Sequence, residues 1–178
     1  MHRMVAAIVS LYQHLNAVCH TPEVYRPSAC PSCGRGRLWC HGCYSRKADR
    51  SSSPAPSLNP VPIPRFICAD CCCTCSRLPG CLSPRRWYEW VIQERALLCL
   101  LFGTSRRRSS ADTGVARSTL RRWWGWLTER TDVFAFHLRS RFPHLGRTVD
   151  STAFWKACLS ELSLADAMGW LDQEVDVP

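Results

Sequence analysis

Cys30-Pro-Ser-Cys33-Gly34 and Cys68-Ala-Asp-Cys71 are two CxxC pairs with 34 residues between them. A CxxC followed by glycine makes a tight turn. It aims both sulfurs at one point, and backbone N–H groups in the turn stabilise them. Two such turns supply four thiolates in a tetrahedron, which suits Zn²⁺. The spacing therefore predicts a metal site at Cys30, Cys33, Cys68 and Cys71. Val61-Pro-Ile-Pro-Arg-Phe-Ile67 reads as an extended lead-in to the second turn. Other thiols leave alternatives open. Cys40 and Cys43 form a third CxxC, and Cys72, Cys73 and Cys75 crowd the second turn. A Cys30/Cys33/Cys40/Cys43 site, a two-metal cluster and free or disulfide-bonded cysteines all remain as readings of the residues.

The chain has 178 residues, room for one modest domain or a few very small modules. Small modules bury little apolar surface, so a structural metal matters for their stability. Thirteen cysteines is an odd count with metal spacing, which argues against a secreted disulfide scaffold. No signal peptide is expected, and the longest apolar run after the N-terminal segment, residues 96–102, is too short to span a membrane. The expected location is the cytoplasm.

The net charge of +9 is unevenly placed: +12 over residues 1–130 and −3 over residues 131–178. Arginine supplies 21 of the 23 basic residues. Its planar fork binds phosphates and guanine edges bidentately. A polyanion, nucleic acid first, is the partner this composition favours.

Four segments are expected. Residues 1–27 hold an amphipathic helix carried by Val5, Ile8, Val9, Tyr12, Leu15 and Val18. Residues 28–76 form a small β module with a Pro/Ser-rich insert at 51–64. Within it, residues 34–47 read as a hairpin turning near His41-Gly42, with Arg35 and Arg37 as candidate phosphate contacts. Residues 83–130 are helical. Ser83 is the expected cap of a helix over 84–102, Trp87 is one of its core residues, and Gly103 stops it. A short polar helix follows over 104–113, and Gly114 marks a turn. The helix starting at Arg117 has Leu120, Trp123, Trp124 and Leu127 on its inward face. Arg117, Ser118, Thr119, Arg121 and Arg122 are left as candidate DNA contacts, the layout of a recognition helix. Residues 131–178 form a helical tail over 132–141, 152–162 and 164–172. The fold class is α+β.

The two knuckles, the Pro64-Arg-Phe-Ile-Cys68 lead-in and Gly114-Val-Ala-Arg-Ser-Thr-Leu-Arg-Arg-Trp123 occur in one order. Over residues 28–130 the chain resembles the zinc-ribbon plus helix-turn-helix front end of bacterial insertion-sequence transposases, and small stand-alone proteins built on it. The resemblance implies a small β zinc ribbon, a helix-turn-helix, and binding to double-stranded DNA. It carries the ligand role to Cys30, Cys33, Cys68 and Cys71, and the recognition role to Arg117, Ser118, Thr119, Arg121 and Arg122. A transposase, or a second copy through the tail, is the further partner. There are departures. Ala116 stands where such helices have a serine cap, and Ser109 and Ser110 stand where small apolar residues are expected. The five extra cysteines replace basic or polar residues, which keeps a decayed mobile-element remnant open as an alternative. No catalytic activity is expected. Asp150, Glu161 and Asp166 are the carboxylates at hand, without the room for a domain that would converge them on Mg²⁺. A thiol-rich metal-binding or redox protein is the other alternative.

Overall fold

The computed structural model describes residues 3–48, 58–84, 88–148, 150–175 and 177. It is an α+β chain in two compact units, residues 1–89 with 175–178, and residues 90–174.

The first unit contains β1 (Met4–Val5), α1 (Leu11–His20), β2 (Leu38–Arg46), β3 (Val61–Cys68), β4 (Thr74–Cys75) and β5 (Leu78–Pro79). A 3₁₀ turn, Pro22–Tyr25, follows α1. β2, β3 and β4 form an antiparallel sheet in that order, and β1 pairs with β5 in parallel. The expected hairpin within 34–47 is corrected here. β2 runs straight through His41-Gly42 and pairs with β3 instead. Cys40 faces Phe66 and Cys43 faces Pro64, so β2 carries one extra residue, a bulge, with Gly42 at φ +74°. The expected loop over 51–64 is also shortened, because Val61–Pro64 belong to β3; residues 51–57 lie outside the described residues.

Two prolines inside β3 need an explanation, since proline cannot donate to a ladder. Pro62 and Pro64 are two apart, so their missing donors fall on one edge. β4 covers that strand only at Phe66 and Ile67. Beyond it, α1 supplies a partner: His14 Nε2 lies 2.9 Å from the Pro62 carbonyl oxygen. A carbonyl only accepts, so Nε2 carries the proton, and Nδ1 accepts from the Tyr25 hydroxyl at 2.6 Å. His14 and Tyr25 are fully buried.

The N-terminal helix is shorter than expected. Met4–Val5 pair with Leu78–Pro79, and Ser10 caps α1 by accepting from the Gln13 N–H. That phase leaves Tyr12 81% and Val9 62% exposed, while Leu11 and Leu15 pack on one small core cluster and Ala17 and Val18 on another. The latter comprises Ile8, Tyr25, Cys30, Leu38, Phe66 and Cys68.

The second unit is all helical: α2 (Trp90–Leu101), α3 (Arg106–Thr113), α4 (Arg117–Arg141), α5 (Ser151–Glu161) and α6 (Leu164–Glu174). A 3₁₀ turn, Pro143–Arg147, joins α4 to α5. α2 starts six residues after the expected Pro84. Ser83 is not its cap, because its hydroxyl donates to the Tyr88 carbonyl oxygen; Trp87 lies outside the described residues. Gly103 (φ +82°) follows the end of α2, and Gly114 (φ +69°) caps α3. The expected break near 130 is absent. α4 runs on for 25 residues, with Leu120, Trp123, Leu127, Thr131, Phe134, Ala135 and Leu138 buried along one face. Thr131 is tolerated there because its Oγ1 donates to the Leu127 carbonyl at 2.8 Å and accepts from Trp155 Nε1 at 3.0 Å. At the start of α6, the Leu164 N–H donates to Glu94 Oε2 of α2 at 2.6 Å, and Ser163 caps the Asp166 N–H. A carboxylate suits the positive end of a helix. Residues 131–174 are therefore packed with α2 and α4 rather than trailing as a tail.

Burial pushes the His14 pKa below its ordinary value, and the bond to Pro62 only partly offsets this. A histidine buried neutral binds its proton less readily in the native than in the unfolded state. Its contribution is complete above the unfolded pKa of about 6.5 and falls as pH drops, by at most ~1.4 kcal/mol per pH unit. Urea denaturation of wild type between pH 7 and 5 should show this loss. A His14→Gln variant, less stable at pH 7, should show a shallower loss over the same range. Equal pH slopes for the two proteins would contradict the assignment.

Candidate metal centre and basic helix face

The two knuckles are built alike, bond for bond. In the first, the Gly34 N–H donates to Cys30 O (2.9 Å), the Cys30 N–H to Arg35 O (2.7 Å), and the Ser32 N–H to Cys30 Sγ (3.4 Å). In the second, the Cys72 N–H donates to Cys68 O (3.0 Å), the Cys68 N–H to Cys73 O (3.0 Å), and the Asp70 N–H to Cys68 Sγ (3.4 Å). Both loops need a left-handed residue at their fifth position. Gly34 takes it at φ +75° and Cys72 at φ +58°, the one non-glycine residue with positive φ among those described.

The result is convergence. Cys30 Sγ lies 3.6 Å from Cys71 Sγ, and Cys33 Sγ lies 3.6 Å from Cys68 Sγ. All four ligand atoms lie within 4.8 Å of one another, with Cys30 and Cys68 buried and Cys33 and Cys71 exposed. All thirteen cysteines are free thiols, and among the described residues these four are the group placed to hold a metal ion. Cys40 and Cys43 sit on exposed β2 and do not join them, so the Cys30/Cys33/Cys40/Cys43 alternative falls away.

The electrostatics of the cluster are those of a group that could hold a cation. The Cys30 thiol is lowered to about 7, chiefly by the backbone N–H groups of Cys33 and Ser32. At Cys71 the Cys73 N–H pulls the same way, but burial and the three neighbouring sulfurs outweigh it and raise the thiol to about 12. Four sulfurs in contact do not all ionise side by side unless positive charge sits among them. The site is of the kind a tetrahedral metal ion fits, with sulfur donors and N–H groups already aimed at them.

Arg35 and Arg37 stand beside this centre. Arg37 Nη2 donates to Asp70 Oδ1 at 2.6 Å and its Nε to Oδ2 at 3.4 Å, and Arg35 Nη1 reaches Oδ1 at 3.3 Å. The Arg37 hydrogen bond is the main reason the Asp70 carboxyl is held below the usual carboxylate range. Both arginine side chains stay about 70% exposed (71% and 69%) while bridging the first knuckle to the second. Asp70 was not singled out from the sequence; its position between Cys68 and Cys71 was the signal.

In the helical unit, α3, the Gly114 turn and α4 follow one another. Leu120, Trp123 and Leu127 are buried and Trp124 is half-buried. Arg117, Ser118, Arg121 and Arg122 are exposed and Thr119 is half-buried. Ala116 caps α4 without a side-chain hydrogen bond. Ser109, where a small apolar residue was expected, is fully buried with its hydroxyl unpartnered. Arg106 and Arg107 are also exposed on α3 and were missed as candidates, although the Arg106-Arg107-Arg108 run is plain in the sequence; Arg108 pairs with Asp112 at 3.1 Å.

A family model described as Domain of unknown function (DUF6431) matches residues 30–123, from the first ligand cysteine to Trp123 of α4. No curated protein and no solved structure matches the chain.

A left-handed residue with a Cβ is disfavoured by about 1–2 kcal/mol, and glycine gives back part of that as unfolded-chain entropy. Cys72→Gly should therefore keep the full metal content and raise the stability of the first unit by up to about 1 kcal/mol. Metal analysis and chemical denaturation check both halves. Loss of metal in this variant would make Cys72 a ligand.

Proposed function

The chain belongs to the DUF6431 family, and from that premise we propose that it is a zinc-dependent DNA-binding protein with no catalytic step of its own. In this reading Zn²⁺ is held by Cys30, Cys33, Cys68 and Cys71. A tetrahedron of Zn–S bonds of about 2.3 Å has S···S edges of about 3.8 Å, close to the cluster's own spacing. The ion is structural: four protein ligands fill a tetrahedron and leave no open position for substrate. The tetrathiolate carries a charge of about −2, which the neighbouring Arg35 and Arg37 offset only in part, because they also neutralise the Asp70 carboxylate. Those two arginines act on phosphates only by sharing that carboxylate, so they contribute less than arginines elsewhere.

The observation that carries the DNA reading is the division of α4. Its buried stripe of Leu120, Trp123 and Leu127 turns Arg117, Arg121 and Arg122 to solvent. No carboxylate pairs with these three among the described residues. The N-terminal part of a helix following a glycine turn is the part that enters a major groove in helix-turn-helix proteins. The resemblance to the front end of insertion-sequence transposases supports the same reading, with double-stranded DNA as partner and a transposase or a second copy as further partners.

The test is binding of wild type and an Arg117→Ala/Arg121→Ala/Arg122→Ala variant to DNA selected from a random pool, and to unrelated duplex, across salt. An arginine reading guanine costs about 1–3 kcal/mol of discrimination when removed, whereas one on a phosphate weakens all sequences alike and lowers the salt slope by about one. The variant should lose affinity for the selected site by at least tenfold, on the order of 1.4 kcal/mol. Equal binding by both proteins at every salt concentration would leave this face as a solvated surface.

A further inference from the structure

The likeness of the two knuckles breaks at the residue opposite the first ligand. Cys30 donates its N–H to the carbonyl of Arg35, and Cys68 donates to the carbonyl of Cys73. One loop thus has a guanidinium where the other has a thiol. β3 and β4 pair Phe66 with Cys75 and Ile67 with Thr74. One step further along this register sets Cys73 opposite Cys68, as their backbone hydrogen bond requires. Residues directly opposed in an antiparallel pair share a face, with Cα atoms about 4.5–5.5 Å apart. A disulfide spans about 4.4–6.8 Å between Cα atoms. The packing agrees, since Cys73 and Cys75 lie against the core cluster that contains Cys30, Phe66 and Cys68. Access differs between the two: Cys68 is buried, while Cys73 is partly exposed, with its Sγ 3.8 Å from the Thr74 carbonyl oxygen.

We propose that Cys73 is a peroxide-reactive modification site whose oxidised sulfur is captured by Cys68, so that a Cys68–Cys73 disulfide removes one ligand from the metal centre. The proposal rests on the reading of the four-cysteine cluster as a metal site. The co-reactant is a hydroperoxide. The Cys73 thiolate attacks its O–O bond; an S–O bond forms, the O–O bond breaks, and water or an alcohol leaves after taking up a proton. The Cys68 thiolate then attacks the Cys73 sulfur. An S–S bond forms, the S–O bond breaks, and hydroxide leaves and is protonated to water. One hydroperoxide is reduced by two electrons and two thiols are oxidised to one disulfide. A dithiol reverses the change by exchange. Cys72 is exposed but adjoins the ligand Cys71, and Cys75 faces Phe66 rather than a ligand. The competing products are the ligand–ligand disulfides Cys30–Cys71 and Cys33–Cys68, whose sulfurs already lie 3.6 Å apart.

The experiment uses the purified, zinc-loaded full chain and one equivalent of hydrogen peroxide. Released zinc is followed with a metallochromic indicator, and disulfides are mapped by mass spectrometry of unreduced peptides. The expected result is zinc release in step with a Cys68–Cys73 disulfide, reversed by dithiothreitol and added zinc. Cys73→Ser should release zinc several-fold more slowly, while Cys72→Ser and Cys75→Ser follow wild type. Release from Cys73→Ser at the wild-type rate, or a map showing only ligand–ligand disulfides, would overturn the proposal. Should Cys73→Ser fail to load zinc, the wild-type disulfide map decides alone. A wild-type chain that never retains zinc sinks the metal reading instead, and its disulfide map still reports whether Cys68 and Cys73 join.

Discussion

Four sulfur atoms within 4.8 Å of one another tie the two knuckles of the N-terminal unit together. Two of the four sulfurs, those of Cys30 and Cys68, belong to a small apolar cluster of the described residues with Ile8, Tyr25, Leu38 and Phe66. The same residues thus serve as core and as ligand set. A structural zinc in a small module supplies about 10–16 kcal/mol of apparent binding free energy, which appears as folding free energy. That is comparable with the whole stability of a typical domain, about 5–15 kcal/mol. The knuckle hydrogen bonds, the Asp70 bridge to Arg35 and Arg37, and the β3–β4 pairing all lie around the four sulfurs.

The helical unit rests on a different constraint. Its core is continuous along α4 and is closed by Trp155, Phe154, Leu164 and Met168 from the last two helices. Two polar contacts tie it together, Thr131 with Trp155 and Glu94 with the first turn of α6, while the Ser109 hydroxyl is buried without a partner. Because α4 is fixed by this packing, the exposed face at its start is a rigid surface.

The sequence was legible where chemistry is local. The CxxC spacing located all four clustered cysteines, and Gly103 and Gly114 marked the ends of two helices because each sits at positive φ. Leu120, Trp123 and Leu127 showed the buried face of α4 by period alone. It was misleading where a distant partner decides. The boundary expected after residue 130 falls inside α4, where buried Thr131 is bonded to Trp155, 24 residues on. His41-Gly42 looked like a hairpin turn, but Gly42 serves a bulge because β2 finds its partner in β3, across the insert. Ser83 looked like a helix cap, yet its hydroxyl goes to the Tyr88 carbonyl. Nothing in Cys72 itself announces a left-handed residue; only its place four residues after Cys68, matching Gly34 after Cys30, does so.

The most direct test of the account is metal content together with backbone protection in one double variant. Cys33→Ser/Cys68→Ser removes one sulfur from each knuckle. The account predicts that wild type purifies with one zinc per chain, and that the variant has none. It also predicts that amide exchange in the variant quickens across β2, β3 and β4, while α4 to α6 remain protected. Full zinc stoichiometry in the variant, or an unchanged exchange pattern over the β strands after its loss, would contradict the claim that these four sulfurs hold the unit together.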